Sequence, residues 1–202
     1  VHDQRSTDSG KTWESAGHIL ENSTYQFPAP DNEVIMFQSS FTSEDATGEG
    51  RPEVSLVATE EDGVFEAKFF RSKDNGKTRE SDPARVYLPE GFRDWAGVLC
   101  RKIVGLPDGN LLMSMYTRNE EGPVHEKKFR SLVLRSTDRG KTWHYLSTIA
   151  VDHSEDARGE GFDETSLLVL PDGRVQAYMR SGASYQGSMG SHNYGDETVD
   201  MP

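Results

Sequence analysis

Three copies of one nine-residue stretch divide this chain at near-regular intervals, so the fold must be assembled from repeated local units. The copies are Arg5-Ser6-Thr7-Asp8-Ser9-Gly10-Lys11-Thr12-Trp13, Arg71-Ser72-Lys73-Asp74-Asn75-Gly76-Lys77-Thr78-Arg79 and Arg135-Ser136-Thr137-Asp138-Arg139-Gly140-Lys141-Thr142-Trp143. Their first residues lie 66 and 64 positions apart. Each copy reads as a hairpin turn. The central Asp accepts hydrogen bonds from N–H groups of the turn. The Gly two positions later supplies a positive φ. Thr and Trp then open the next strand, with the indole over the hairpin's apolar side. The second copy carries Arg79 in place of Trp, which predicts a less well packed cap.

A second repeat interleaves with the first. Pro30-Asp31-Asn32, Pro107-Asp108-Gly109 and Pro171-Asp172-Gly173 each precede a strand-like run, at 33–41, 110–117 and 174–180. Apolar stretches at 98–106 and 165–170 precede two of these turns. Each Pro-Asp turn thus joins two strands and each nine-residue turn joins two more. Four antiparallel strands in a unit of about 65 residues is the blade of a β-propeller. The expected class is all-β, a β-propeller of four-stranded antiparallel blades, with this chain covering about three. The expected division is the end of one blade at 1–20, blades at 21–90 and 91–150, and the start of a further blade at 160–202. The Gly-, Ser- and Tyr-rich segment 182–202 reads as loop. An arc of three blades leaves sheet edges open, so the rest of the propeller, or a second copy, is expected to close the fold. A solenoid is disfavoured by the long, uneven spacing.

Of 202 residues, 34% are hydrophobic and the net charge is −12. That balance argues against nucleic acid, whose phosphates need clustered Lys and Arg, but it allows a local Arg site for an acidic small molecule. No run of 18 apolar residues exists, so no helical membrane span is expected. Residues 1–10 are polar and carry no leader, which implies a start after processing or partway through a larger protein. The lone Cys100 lies in an apolar run and reads as a buried, inert thiol. Asn22-Ser23-Thr24 fits a glycosylation triplet. His125 and His153 stand in charged loops and read as solvated. The acidic runs at 44–45, 60–62 and 120–121 read as solvated turns without a dense calcium-binding loop. No metal site and no cofactor are expected.

The nine-residue turns resemble the Asp box (BNR repeat) of sialidases, a motif that also occurs in other glycosidases and in sorting receptors. The stretch Glu164-Thr165-Ser166-Leu167-Leu168-Val169-Leu170-Pro171-Asp172-Gly173-Arg174-Val175-Gln176-Ala177-Tyr178-Met179-Arg180 resembles the sialidase sequence of Glu, strand, Asp-Gly turn, strand and Arg. The resemblance implies a six-bladed propeller when complete and an exo-sialidase removing terminal sialic acid with retention through a Tyr nucleophile. It implies that Glu164 is catalytic, as the partner that tunes that Tyr, and that Arg180 is the second of three Arg binding the substrate carboxylate. Sialylated glycans or other oligosaccharides are then the partners, and a secreted, periplasmic or cell-surface location follows from the family. The remaining two Arg, an Asp acid/base and the Tyr match positions outside this chain, so the piece alone is expected to be inactive. The chemistry fits. An anionic nucleophile is repelled by a carboxylate at the anomeric carbon, whereas a neutral phenol deprotonated by Glu164 is not. Arg180 offers a planar, permanently charged fork.

Other candidates sit where loops are expected on the substrate side, at 42–53, 91–97, 118–129, 151–164 and 182–202. Arg118, Asp94, Trp95 and Tyr185 are the substrate-binding candidates there. Arg51, Arg93 and Asp163 share those segments. Asp8, Asp74 and Asp138 read as structural Asp-box residues. Two rivals remain: a propeller hydrolase or lyase for another sugar, and a non-catalytic binding propeller.

Overall fold

A computed structural model describes residues 3–17, 24–38, 56–89, 97–118, 123–155 and 159–183. Fifteen strands follow in chain order. They are β1 (Asp3–Arg5), β2 (Glu14–Gly17), β3 (Thr24–Pro28), β4 (Val34–Gln38), β5 (Leu56–Ala58), β6 (Val64–Ala67), β7 (Phe69–Ser72) and β8 (Glu80–Ser81). Then come β9 (Ala84–Tyr87), β10 (Val98–Gly105), β11 (Leu111–Thr117), β12 (Arg130–Ser136), β13 (Thr142–Ala150), β14 (Gly159–Val169) and β15 (Val175–Ala183). The chain is all-β. One 3₁₀ turn at Val124–Lys127 is the sole helical element among the described residues.

The Asp-box turns are built alike in all three copies. Thr12, Thr78 and Thr142 donate their backbone N–H to the Asp at 2.9 Å each. Their hydroxyls donate to its second oxygen at 2.6, 2.8 and 2.6 Å. The Ser hydroxyl two residues before the Asp donates to it and accepts from the Gly N–H. Two consecutive left-handed residues complete each turn, the second being Gly10, Gly76 or Gly140 with φ of 85, 82 and 84°. The first is Ser9, Asn75 or Arg139, so the turn tolerates a non-Gly residue there because the side-chain bonds over-determine it.

The caps differ. Both indoles donate to the box glycine carbonyl, but Trp143 is 0% exposed and Trp13 is 63% exposed. At the Arg79 position the guanidinium lies 4.8 Å over the Phe70 ring, so a cation–π contact fills the place expected to be poorly packed. The leading Arg of two boxes also reaches a Pro-Asp turn. Arg71 pairs with Glu33 at 3.1 Å and Asp82 at 2.7 Å, and Arg135 pairs with Asp108 at 3.1 Å.

Strands β10 to β13 form a continuous antiparallel run. Strands β3, β4, β7 and β8 form a separate four-stranded sheet, while β1–β2 and β14–β15 are two-stranded. The described residues of segment 21–90 nevertheless supply seven strands rather than four. The strands flanking its Asp box are long, and their distal halves, β6 and β9, leave the four-stranded sheet. They pair with β5 on one side and, in parallel, with β13 on the other, giving a seven-stranded sheet. A Pro at position 83 between β8 and β9, with no N–H to donate, stands where the ladder changes sheet.

The central strands are covered on both faces. Along β11, Leu111, Met113 and Met115 join Leu132, Leu134, Ile35, Phe37, Phe69 and Trp143 in one core. The alternate residue Leu112 joins Val104, Val133 and Leu167 in a second core beneath β14. Period-two alternation thus sandwiches β10–β12 between the β3-β4-β7-β8 sheet and the β14–β15 hairpin. No helix among the described residues is long and apolar enough to cross a membrane.

Two outcomes follow. Trp143→Ala should lower unfolding free energy by roughly 3–5 kcal/mol, and Trp13→Ala by less than about 1 kcal/mol, as read from urea melts. The Thr12 hydroxyl and amide hold Asp8 at a pKa of about 2, and the Thr78 amide does the same for Asp74. Burial pushes Asp138 up, but Thr142 and Ser136 outweigh it and hold the carboxyl below its usual value. A depressed folded pKa stabilises fully above the unfolded value of about 3.9 and is lost as pH falls toward the folded value. Stability should therefore fall between about pH 4 and pH 2, modestly because Asp8 and Asp74 are solvent-exposed, and the Asp8→Asn, Asp74→Asn, Asp138→Asn triple variant should show a shallower acid limb.

Candidate functional site

The ends of β14 and β15 remote from the Pro171-Asp172-Gly173 turn carry a cluster of four charged side chains. Here β14 is not a regular strand. Its register with β15 slips between Gly159 and Gly161 and again between Asp163 and Ser166. Gly161 has φ 87°, and a Cβ there would sit 2.2 Å from the Phe129 carbonyl oxygen, so only glycine fits. Backbone bonds from Phe129 N to Glu160 O at 2.7 Å and from Phe162 N to Phe129 O at 2.8 Å stitch this segment to the chain leading into β12. That stitching, together with pairing to β15, is why residues 159–163 are strand, although the Gly-rich sequence reads as a linker.

The second slip is a bulge in which Glu164 takes a positive φ of 38°. Buried hydroxyls hold it. Ser114 donates to the Thr165 carbonyl at 2.7 Å, and the Thr165 hydroxyl bonds Ser131. Thr165 is 2% exposed and Ser131 0%. The bulge is thereby pinned from both β11 and β12, and the charged residues around it have a fixed frame.

Within that frame Arg180 meets three carboxylates. Asp163, 1% exposed, takes Nε at 2.9 Å and Nη2 at 2.5 Å in a two-pronged pair. Glu164 lies 3.7 Å from Nε and Glu160 lies 3.6 Å from Nη2. The Glu164 and Arg180 side chains remain 41% and 53% exposed. The Asp163 hydrogen bonds push the Arg180 pKa up and keep it charged at any working pH. The sequence pairs Arg180 with Glu164; the geometry does bring them together, but Asp163 is the partner that fixes the guanidinium.

Beside this cluster lie Tyr116 and Cys100. Burial, reinforced by the nearby charges of Asp163 and Glu164, raises the Tyr116 phenol to about 12. Cys100 is buried, as its apolar surroundings lead one to expect, and burial raises its thiol to about 11. Tyr116 meets the Phe129 ring edge-on at 5.1 Å, and the Arg118 guanidinium covers the same ring at 4.8 Å. Arg118 is thus placed one ring away from the stitched segment. Lys128, 4% exposed, anchors the incoming loop through Asp152 and Ser154, both at 2.7 Å. His125 is not simply solvated: its ring nitrogen meets Glu155 at 2.5 Å, with the His153 ring 6.4 Å away. No group of metal-ligating side chains occurs among the described residues.

Asp94, Trp95 and Tyr185 lie outside the described residues, as do Arg51 and Arg93. Asp8, Asp74 and Asp138 accept hydrogen bonds from their own turns. Asp138 lies at the opposite end of β12 from Ser131, and so away from the Arg180 cluster. Sequence reasoning missed Tyr116 and Glu160 and placed Asp163 only among loop candidates. Ser114 and Tyr116 interrupt every second position of an apolar strand, and that was the available signal for a polar face.

A family model for the BNR repeat-like domain matches residues 27–198. A crystal structure of a protein of unknown function from Dyadobacter fermentans DSM 18053 shares the fold, with a TM-score of 0.58 and 22% sequence identity. The match covers 90% of this chain and 51% of that one, so this chain spans about half the length of that relative. No curated protein matches the chain.

Removing the guanidinium strands a buried carboxylate. Arg180→Met should destabilise the protein by about 2 kcal/mol in urea unfolding, and adding Asp163→Asn should recover most of that loss. Equal stability of Arg180→Met and the native chain would show that the pair does not organise this end of the sheet.

Proposed function

The chain belongs to the BNR repeat-like domain family, and from that premise we propose that it is part of a sialidase-like exo-glycoside hydrolase that removes terminal sialic acid from glycoconjugates. On this reading its sheets are blades of a propeller, completed by chain outside this piece or by a second copy. The observation that carries the reading is the approach of Glu164 to Arg180, 3.7 Å apart on adjacent strands and both partly exposed. BNR-type repeats are associated with glycoside hydrolases, and the Glu–strand–turn–strand–Arg stretch resembles that of sialidases.

In this scheme Arg180 offers its exposed edge to the carboxylate of the sugar and fixes its orientation. Glu164 accepts the phenolic proton of a Tyr outside this chain as that oxygen attacks the anomeric carbon. An Asp, also outside, protonates the leaving oxygen and later deprotonates water. Arg118 and, in the segments not described, Asp94, Trp95 and Tyr185 are proposed to line the sugar site. The same reading places the protein in the secreted, periplasmic or cell-surface compartment, where such glycans are found.

One observation favours a second reading. Asp163 already occupies Nε and Nη2 of Arg180, and Glu160 and Glu164 crowd the same guanidinium. A site so rich in carboxylates suits a neutral sugar, handled by another propeller hydrolase or by a binding propeller.

In the full-length protein, Arg180→Ala should lower kcat/KM on 4-methylumbelliferyl sialoside by about 100-fold or more. Circular dichroism and urea melts separate that loss from unfolding. Wild-type turnover by this variant would sink the sialidase reading. Turnover of an aryl galactoside or arabinoside, with none of the sialoside, would move the assignment to the second reading.

A further inference from the structure

Tyr116 is, with the buried Cys100, a chemically active side chain near the Glu164–Arg180 pair that the proposed mechanism leaves idle. Side chains on β11 alternate, and Ser114 reaches across to Thr165 of β14. Tyr116, two positions on, therefore faces the same hairpin. Its ring is held edge-on, 84° from the plane of Phe129, and Phe129 is bonded through its backbone to both Glu160 and Phe162. The phenol is thus fixed against the segment that carries Glu160, Asp163 and Glu164. Burial and then the charges of Cys100, Asp163, Glu164 and Arg180 bear on that phenol, in keeping with its place against this segment.

That hydroxyl makes no hydrogen bond among the described residues, and the side chain is only half-buried. A Tyr in such a position normally satisfies its O–H with a partner, and a ligand oxygen held at the cluster would provide one. We propose that Tyr116 is a ligand-binding residue, a neutral hydrogen-bond donor to an oxygen of the sugar held by Glu164 and Arg180. The inference rests on the proposed site but not on which sugar occupies it. Three carboxylates surround Arg180, so a further neutral donor supplies what the acidic rim lacks. Sugar hydroxyl, ring and carboxylate oxygens all accept such a bond. A phenolate would be repelled by the same rim, and burial keeps the proton in place at neutral pH.

The test uses the full-length protein and Tyr116→Phe, which keeps the ring and its contact with Phe129. The probes are N-acetylneuraminic acid, glucuronic acid and galactose in saturation-transfer NMR, with 4-methylumbelliferyl sialoside for kinetics. The expected result is an unchanged melting temperature with affinity for the bound probe weakened about tenfold. On the sialoside, KM should rise more than kcat falls. Affinity within twofold of wild type on a probe that does bind overturns the inference, because the hydroxyl is then only packing. Loss on galactose, when the wild type ignores N-acetylneuraminic acid, supports Tyr116 while sinking the sialidase reading. If Arg180→Gln binds like wild type but Tyr116→Phe does not, the Arg role fails and the Tyr116 role stands. Binding of none of the three probes by the wild type overturns both.

Discussion

A carboxylate that accepts from the backbone and the hydroxyl of one threonine is the constraint on which the rest depends. In each Asp box it closes a turn whose two left-handed residues are otherwise disfavoured. The turn fixes the direction of the strands on either side and sets the register of the hairpin. It also fixes the leading Arg, and through it the neighbouring Pro-Asp turn. Arg71 reaches Glu33 and the carbonyl of Arg139 at 2.9 Å, and Arg139 reaches Asp31 at 3.2 Å. Successive layers are thus tied at one end by polar contacts, while Ile35 of one layer packs on Gly140 of the next. The exposed Arg139–Asp31 pair contributes little energy, whereas Arg71 and Glu33 are largely buried. The value of these contacts is in alignment, and the buried cores on both faces of β11 supply the stability.

With one end fixed, irregularity can be concentrated at the other. The β14 bulges, the close approach at Gly161 and the positive φ of Glu164 all fall at the end of the sheet away from the third box. Each costs energy that the surroundings offset: backbone bonds to Phe129, hydroxyls of Ser114 and Ser131, and the buried Asp163 under Arg180. A bulge re-aims side chains without moving the strand, which is how Asp163, Glu164 and Arg180 come to share one spot although they do not alternate in phase.

The repeats made the all-β class and the hairpins legible, because turn chemistry is local and is written in nine residues. Strands such as β10, β11 and β15 fell where apolar runs and Pro-Asp-Gly turns placed them. The pairing of β9 with β13 was not legible. It is a contact between strands far apart in sequence, and no local pattern encodes it. The site was legible in part. Glu164 and Arg180 stand out through a resemblance, but Asp163 was hidden because a linker-like run, Gly159-Glu160-Gly161-Phe162, precedes it. Glycines usually signal loops, and here they serve a tight backbone contact inside a strand. Tyr116 was masked by the apolar residues around it, which read as core.

The charge arithmetic of the cluster bears on what it can hold. Glu160, Asp163 and Glu164 outnumber Arg180, and Asp163 is too buried to be screened by water. The local field at the exposed edge of Arg180 is therefore weaker than that of a free guanidinium, because its nearest neighbour carries the opposite charge in a low-dielectric setting. A substrate carboxylate docking there gains from Arg180 and loses to the Glu pair, so strong selectivity for acids needs further cations. Arg118, parked over Phe129, belongs to the same stretch of surface, and a three-Arg cluster would require a further cation beside them. If those cations are present, Asp163 serves to hold one prong still while the others engage. If they are absent, the same geometry becomes a platform of carboxylates and a neutral phenol, suited to the hydroxyls of an uncharged sugar. The cations that adjoin Arg180 in the complete protein therefore decide between the two readings.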